Sequence, residues 1–116
     1  MSRLVEIRTY ALKPGRRAAF HALLSQQSVP LLAAAKIDVV AFGQSVTDAD
    51  GYFLIRAFDD ESHLRASQDT FYASAAWREG PRSAVIDCIA SAANTTFWLS
   101  RMAIKHIHQS HLEQNL

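Results

Sequence analysis

Three residues that could do chemistry sit at alternate positions near the start of the chain: Glu6, Arg8 and Tyr10, within L-V-E-I-R-T-Y-A-L-K-P-G from Leu4 to Gly15. Alternation with a period of two is the signature of a half-buried strand, so these three side chains share one face and Val5, Ile7, Thr9 and Ala11 share the other. A fourth candidate, Arg56, lies in the apolar run Tyr52 to Phe58. A guanidinium offers paired donors to a carboxylate or a carbonyl oxygen, and a phenol adds a third donor. Arg8, Arg56 and Tyr10 are therefore the candidate catalytic set for a small organic acid, with Glu6 beside them. The plainer reading is that Arg8 and Arg56 neutralise Glu6 and its symmetry mate in a dimer. Phe42, Tyr72 and Trp77 are candidates to line an apolar pocket between helix and sheet, or else are ordinary core aromatics. Arg82, following Gly80-Pro81, is a candidate second anion contact or a solvated charge at a turn.

The remaining reactive side chains point to less. His21 and His63 each fall on a predicted helix with no partner in sequence, and either could act as a general base or be locally bonded. His106, His108 and His111 form the one dense histidine cluster, H-I-H-Q-S-H. His106 and His108 would share a strand face, and His108 and His111 a helix face, but the polar segment reads as a solvated tail and no metal is assigned to it. Cys88 has no activating neighbour and is expected to be a buried, inert thiol. A Gly-rich phosphate loop, a G-x-S-x-G elbow and a paired-cysteine metal motif are all absent from the sequence, which argues against phosphoryl transfer and serine hydrolysis. No cofactor is called for.

These residues have to be positioned by a single domain. The chain has 116 residues, 49% hydrophobic and 20% charged, and a net charge of +1. That is the composition of a globular domain, without the basic field that draws nucleic acid or an anionic membrane surface. No apolar run is long enough to span a bilayer. The chain enters a strand directly after Met1-Ser2-Arg3, leaving no room for a signal peptide, and it carries one cysteine; both predict a reducing, cytoplasmic location.

In chain order, the first strand ends at the Lys13-Pro14-Gly15 turn. A helix is predicted over residues 16–35, with Phe20, Leu23, Leu24, Gln27 and Leu31 on one stripe and a kink or break at Pro30. Two strands, 37–46 and 52–58, form a hairpin about Thr47-Asp48-Ala49-Asp50-Gly51. Asp59 or Asp60 caps a second helix whose stripe is Leu64, Gln68, Phe71, Tyr72 and Ala75, interrupted at Gly80-Pro81 by a new short helix. Residues 94–102 form the fourth strand, and 103–116 a polar arm or tail. The order β-α-β-β-α-(α)-β is the split βαβ of the ferredoxin-like class, an α+β fold with helices on one face of a four-stranded antiparallel sheet. By parity, Val5, Ile7, Phe53, Ile55 and Ala57 are assigned to the helix-covered face. The opposite face, with Glu6, Arg8, Tyr10 and Arg56, is then expected to meet a second copy in a homodimer, with the charges forming an internal network.

With these residues in place, the chain resembles the NIPSNAP family of the dimeric α+β barrel superfamily. The matching stretches are V-E-I-R-T-Y-A-L-K-P-G at Val5 to Gly15, Val29-Pro30-Leu31-Leu32, and F-Y-A-S-A-A-W-R-E-G-P-R at Phe71 to Arg82. Arg56 fits too, although the family's more usual Trp-Arg-Tyr is here Ile55-Arg56-Ala57. The resemblance covers residues up to about 102. It implies a dimeric barrel, with relatives across the superfamily that include small monooxygenases, haem-degrading enzymes and muconolactone-type isomerases; family members in animals are described in vesicular transport and mitochondrial quality control. Two functions are therefore carried forward. One is a cytoplasmic homodimer binding a small apolar or aromatic acid, with cofactor-free oxygenation or isomerisation as its chemistry. The other is a non-enzymatic dimeric interaction module.

Overall fold

A computed structural model describes residues 1–115; Leu116, the last residue of the expected tail, lies outside the described residues. The elements are β1 (Ser2–Leu12), α1 (Arg17–Leu23), a π-helical segment (Leu24–Ser28), α2 (Val29–Ala34), β2 (Asp38–Gln44), β3 (Gly51–Phe58), α3 (Glu61–Ala73), α4 (Ala75–Arg78), α5 (Arg82–Cys88), β4 (Ile89–Ser100) and α6 (Arg101–Gln114). The four strands form an antiparallel sheet in the order β2-β3-β1-β4, which is the α+β, ferredoxin-like arrangement expected from the element order.

Pro30 acts one turn earlier than expected. Its ring would clash with the carbonyl four residues back and it has no N–H to donate, so the helix widens into the π-helical segment at Leu24–Ser28 and resumes as α2 without breaking. The helix then ends on Lys36 in the left-handed conformation, with Ile37 N–H bonded to Leu32 O and Lys36 N–H to Ala33 O. The second helix stops sooner than Gly80. Ser74 is extended, its hydroxyl accepts from Trp77 N–H, and α4 starts in a new direction. β4 begins at Ile89, five residues before its expected start, and pairs with β1 over nearly its whole length.

The facing of the sheet is the reverse of the parity assignment. Helices α1 to α5 cover the face that carries Leu4, Glu6, Arg8, Tyr10, Tyr52, Leu54, Arg56 and Phe58. The main core joins Tyr10, Leu12, Tyr52, Leu54 and Phe58 to Phe20, Leu24, Leu32, Phe71, Trp77 and Val85. Val5, Ile7, Phe53, Ile55 and Ala57 lie on the other face. The reason is volume: the even-numbered face offers the larger apolar side chains, and the helices bury more surface there. The charges on that face are accommodated by pairing, as described below.

Helix α6 takes Arg101 and Met102 from the expected fourth strand and residues 103–114 from the expected polar arm or tail. Ser100 caps it, and Arg101 N–H bonds to Met1 O. Ile104 is buried against Val5, Val40 and Ala57, with Ile7, Ile55, Leu99 and Ile107 packed around them, so α6 covers part of the second face. No helix among the described residues is long and apolar enough to cross a membrane.

Candidate functional site

Antiparallel pairing sets Glu6 opposite Arg56, Arg8 opposite Leu54 and Tyr10 opposite Tyr52, all beneath the helices. Glu6 and Arg56 are almost completely buried, at 1% and 0% exposure. Arg56 donates from Nε at 3.0 Å and from Nη2 to one oxygen of Glu6. The other oxygen accepts from Gln68 Nε2 at 3.0 Å and from Asn94 Nδ2 at 3.2 Å. The last arm of Arg56, Nη1, donates to the Tyr72 hydroxyl at 2.9 Å. Burial pushes the Glu6 carboxyl up, but Arg56 and Gln68, with Arg8 further off, outweigh it and hold the group below its ordinary value. Burial likewise works against the Arg56 charge and is outweighed by Tyr72 and Glu6, so the net shift is upward. The pair is thus closed within one chain. Of the expected network of Glu6, Arg8 and Arg56, only Glu6 and Arg56 pair, and they lie under α3 and not on a face open to a second copy.

Arg8 differs. It is half-buried, its guanidinium lies over the Tyr10 ring at 5.6 Å, and among the described residues it has neither an ion-pair partner nor a hydrogen-bond partner. It stands at the wall of a cavity of about 510 Å³, formed with Tyr10, Tyr72, Trp77, Arg82, Val85, Ile86 and Ile89. Burial, only partly opposed by Arg8, pushes the Tyr10 hydroxyl up to about 12. The Tyr72 oxygen accepts from Arg56, which leaves its own proton free to donate.

The helical wall follows from two local devices. Ser74 redirects the chain so that the Tyr72 and Trp77 rings meet edge to face at 5.6 Å. Gly80 allows the tight turn between α4 and α5: a Cβ there would lie 2.3 Å from the Ala76 carbonyl oxygen. That turn brings Arg82, exposed and without an ion pair among the described residues, to the rim.

Of the candidates, Arg8, Tyr10, Tyr72, Trp77 and Arg82 line this cavity, and Glu6 and Arg56 lie behind Tyr72. Phe42 is not among them. On the edge strand β2 it packs against His21 and, at 4.8 Å, His111, in a separate groove between α2 and α6. Val85, Ile86 and Ile89 were not singled out as site residues. The signal was present, because Arg82, Val85, Ile86 and Ile89 recur at helical spacing immediately after Gly-Pro.

Four of the five histidines, His21, His63, His108 and His111, are locally engaged. His21 Nδ1 is 2.6 Å from the Tyr52 hydroxyl, and the Asp59 N–H donates to His63 Nδ1 at 2.9 Å. His108 Nδ1 donates to Val40 O at 3.0 Å. No three His, Cys, Asp or Glu side chains converge as metal ligands among the described residues. Cys88 is buried and free.

Residues 5–100 match the NIPSNAP family model. The chain belongs to the NIPSNAP family. No curated protein matches it in sequence. In fold it is similar to an uncharacterised NIPSNAP domain protein from Burkholderia xenovorans, at 16% identity and a TM-score of 0.74 over 84% of this chain and 95% of that one. It is also similar to a NIPSNAP family protein of unknown function from Agrobacterium tumefaciens, at 21% identity and a TM-score of 0.77 over 85% and 89% of the two chains. A candidate antibiotic biosynthesis monooxygenase from Nitrosomonas europaea shares the fold at 17% identity and a TM-score of 0.62, over 81% and 95%. These likenesses establish the NIPSNAP fold. Helix α6 lies beyond the residues that the family model matches.

Proposed function

We propose that this NIPSNAP protein binds a small aromatic or alicyclic organic acid in the cavity between β1 and helices α3 to α5. Its carboxylate sits on Arg8, and its ring lies against Trp77, Ile86 and Ile89. The observation that carries this reading is half-buried Arg8, whose guanidinium is unpaired among the described residues in a wall that holds no carboxylate. A cation withdrawn from water without a partner is costly, and a carboxylate supplies the missing acceptors. The Tyr10 and Tyr72 hydroxyls add donors. Arg56 serves the site as a positioning residue, through Tyr72. The chemistry that suits such donors is one in which negative charge develops on a substrate oxygen, as in cofactor-free oxygenation by dioxygen or isomerisation.

The interaction-module reading is favoured for one part of the site, since the Glu6–Arg56 pair is satisfied within the chain and serves the fold. The proposal includes a cytoplasmic homodimer. The second copy would be seated on the part of the open face left beside α6, where Phe53, Ile55 and Phe97 remain partly exposed. The mass in solution tests that arrangement, and a monomer at micromolar concentration would end it.

Thermal shift against benzoate, phenylacetate and cyclohexanecarboxylate tests the binding site, because a ligand of the folded state raises the melting temperature. Removing one charged hydrogen-bonding partner costs about 1.5–3 kcal/mol, so Arg8→Gln is expected to weaken binding roughly 10- to 150-fold. If none of these acids shifts the wild type, or all shift wild type and variant equally, the reading fails.

A further inference from the structure

The cavity's charged and hydroxyl side chains can all donate, and none is anionic. Arg8 and Arg82 present guanidinium N–H groups, and Tyr10 and Tyr72 present hydroxyls. The walls carry no carboxylate, imidazole or amine among the described residues. The one carboxylate behind them, Glu6, spends both oxygens on Arg56, Gln68 and Asn94. Burial keeps the Tyr10 hydroxyl protonated across the neutral range. No side chain of this site is therefore suited to take a proton from a ligand at neutral pH, whereas four are suited to hold a negative oxygen.

From this donor set we propose that the cavity takes an acidic phenol or enol in its ionised form, and holds that anion more tightly than the neutral acid. This deepens the organic-acid reading and rests on it. The ligand's O–H bond is broken by loss of the proton to water or buffer, and the electron pair stays on the ligand oxygen, facing Arg8 with Arg82 at the rim. A neutral phenol could hydrogen-bond a tyrosine oxygen but would leave the Arg8 charge uncompensated. The apolar wall of Trp77, Val85 and Ile86 lowers the local dielectric, which strengthens the preference for the charged form beside a cation.

The probe is 4-nitrophenol, which ionises near neutrality and absorbs in the visible only as the anion. Its ionisation is followed by absorbance with the full chain in excess, while binding of 4-nitrobenzoate, ionised throughout, is measured by calorimetry. The expected result is a fall of about one unit or more in the midpoint of bound 4-nitrophenol, a roughly tenfold preference for the anion. The shift should vanish in Arg8→Gln and shrink in Arg82→Ala. Arg82 is exposed, so its variant tests the proposal even if Arg8→Gln does not fold. If 4-nitrophenol binds with an unshifted midpoint, the inference is overturned. The same holds if only 4-nitrobenzoate binds, or if the shift survives unchanged in both variants. In the first two cases the organic-acid reading still stands; if neither probe binds, both fall together.

Discussion

Replacing Arg56 by Met should test how the buried charges under α3 are sustained. The side chain is fully buried, and its removal takes two donors from one oxygen of Glu6 and one from the Tyr72 hydroxyl. Glu6 keeps Gln68 and Asn94 on its other oxygen, with Arg8 nearby. Hydrogen bonds to a charged group contribute about 1.5–3 kcal/mol each, and breaking a buried ion pair from one side costs about 3–5 kcal/mol. We therefore expect Arg56→Met to lose about 3–5 kcal/mol, a large part of the 5–15 kcal/mol or so available to a small domain. The double variant Glu6→Gln/Arg56→Met, which leaves no buried charge, should recover most of this. Urea unfolding followed by circular dichroism measures both. The pH dependence supplies a second sign. In the wild type the folded Glu6 titrates below its ordinary value of 4.5, so its stabilisation is present above that pH and is lost as the pH falls through the folded value. In Arg56→Met, burial loses its largest opponent and Glu6 titrates higher, so protonation relieves the variant. The gap between the two proteins should narrow on acidification from neutral pH. A single-variant loss under about 1 kcal/mol, or a double variant no more stable than the single, would refute the reasoning.

Gly80→Ala forces a Cβ against the Ala76 carbonyl, so the turn between α4 and α5 must open. The expected loss is about 1–3 kcal/mol, with weaker benzoate binding because Trp77 and Arg82 flank that turn; urea unfolding and calorimetry would show otherwise if both stay at wild-type values. His111 is pushed below its ordinary 6.5, chiefly by burial and also by His108, so the fold favours its neutral form. Its contribution is complete above 6.5 and is lost as the pH falls through the folded value. Amide exchange in α6 should therefore accelerate relative to β1 at about pH 5, and His111→Phe should abolish the difference; equal protection at both pH values would contradict this.

Much of this architecture is legible without coordinates, because it rests on local periodicity. Alternation from Leu4 to Leu12 and from Tyr52 to Phe58 specifies the strands. The Thr47–Gly51 cluster specifies the hairpin, and the stripe through Leu64, Gln68 and Phe71 specifies the helix that covers it. Membership of one face is legible too: Glu6, Arg8, Tyr10 and Arg56 do lie on a single side of the sheet. Which side receives the helices is not, because a period of two divides a strand into faces without ranking them. Val5 and Ile7 looked like the interior, yet Leu54, Phe58, Tyr10 and Leu12 offer more apolar surface, and the Glu6–Arg56 pairing removes the cost of burying charge beside them. Phe42 does pack against the main core, the plainer of its two readings, but the sheet order puts β2 at the edge, away from Tyr72 and Trp77. Helix α6 escaped because its polar composition hides the few apolar contacts, Ile104 and Ile107, that dock it. The sequence by itself determined the elements and the chemistry each strand carries. The tertiary structure alone decided that Arg56 is paired and Arg8 is not, since Glu6 lies directly across the strands from Arg56, while Arg8 faces a cavity that only the turns at Ser74 and Gly80 create.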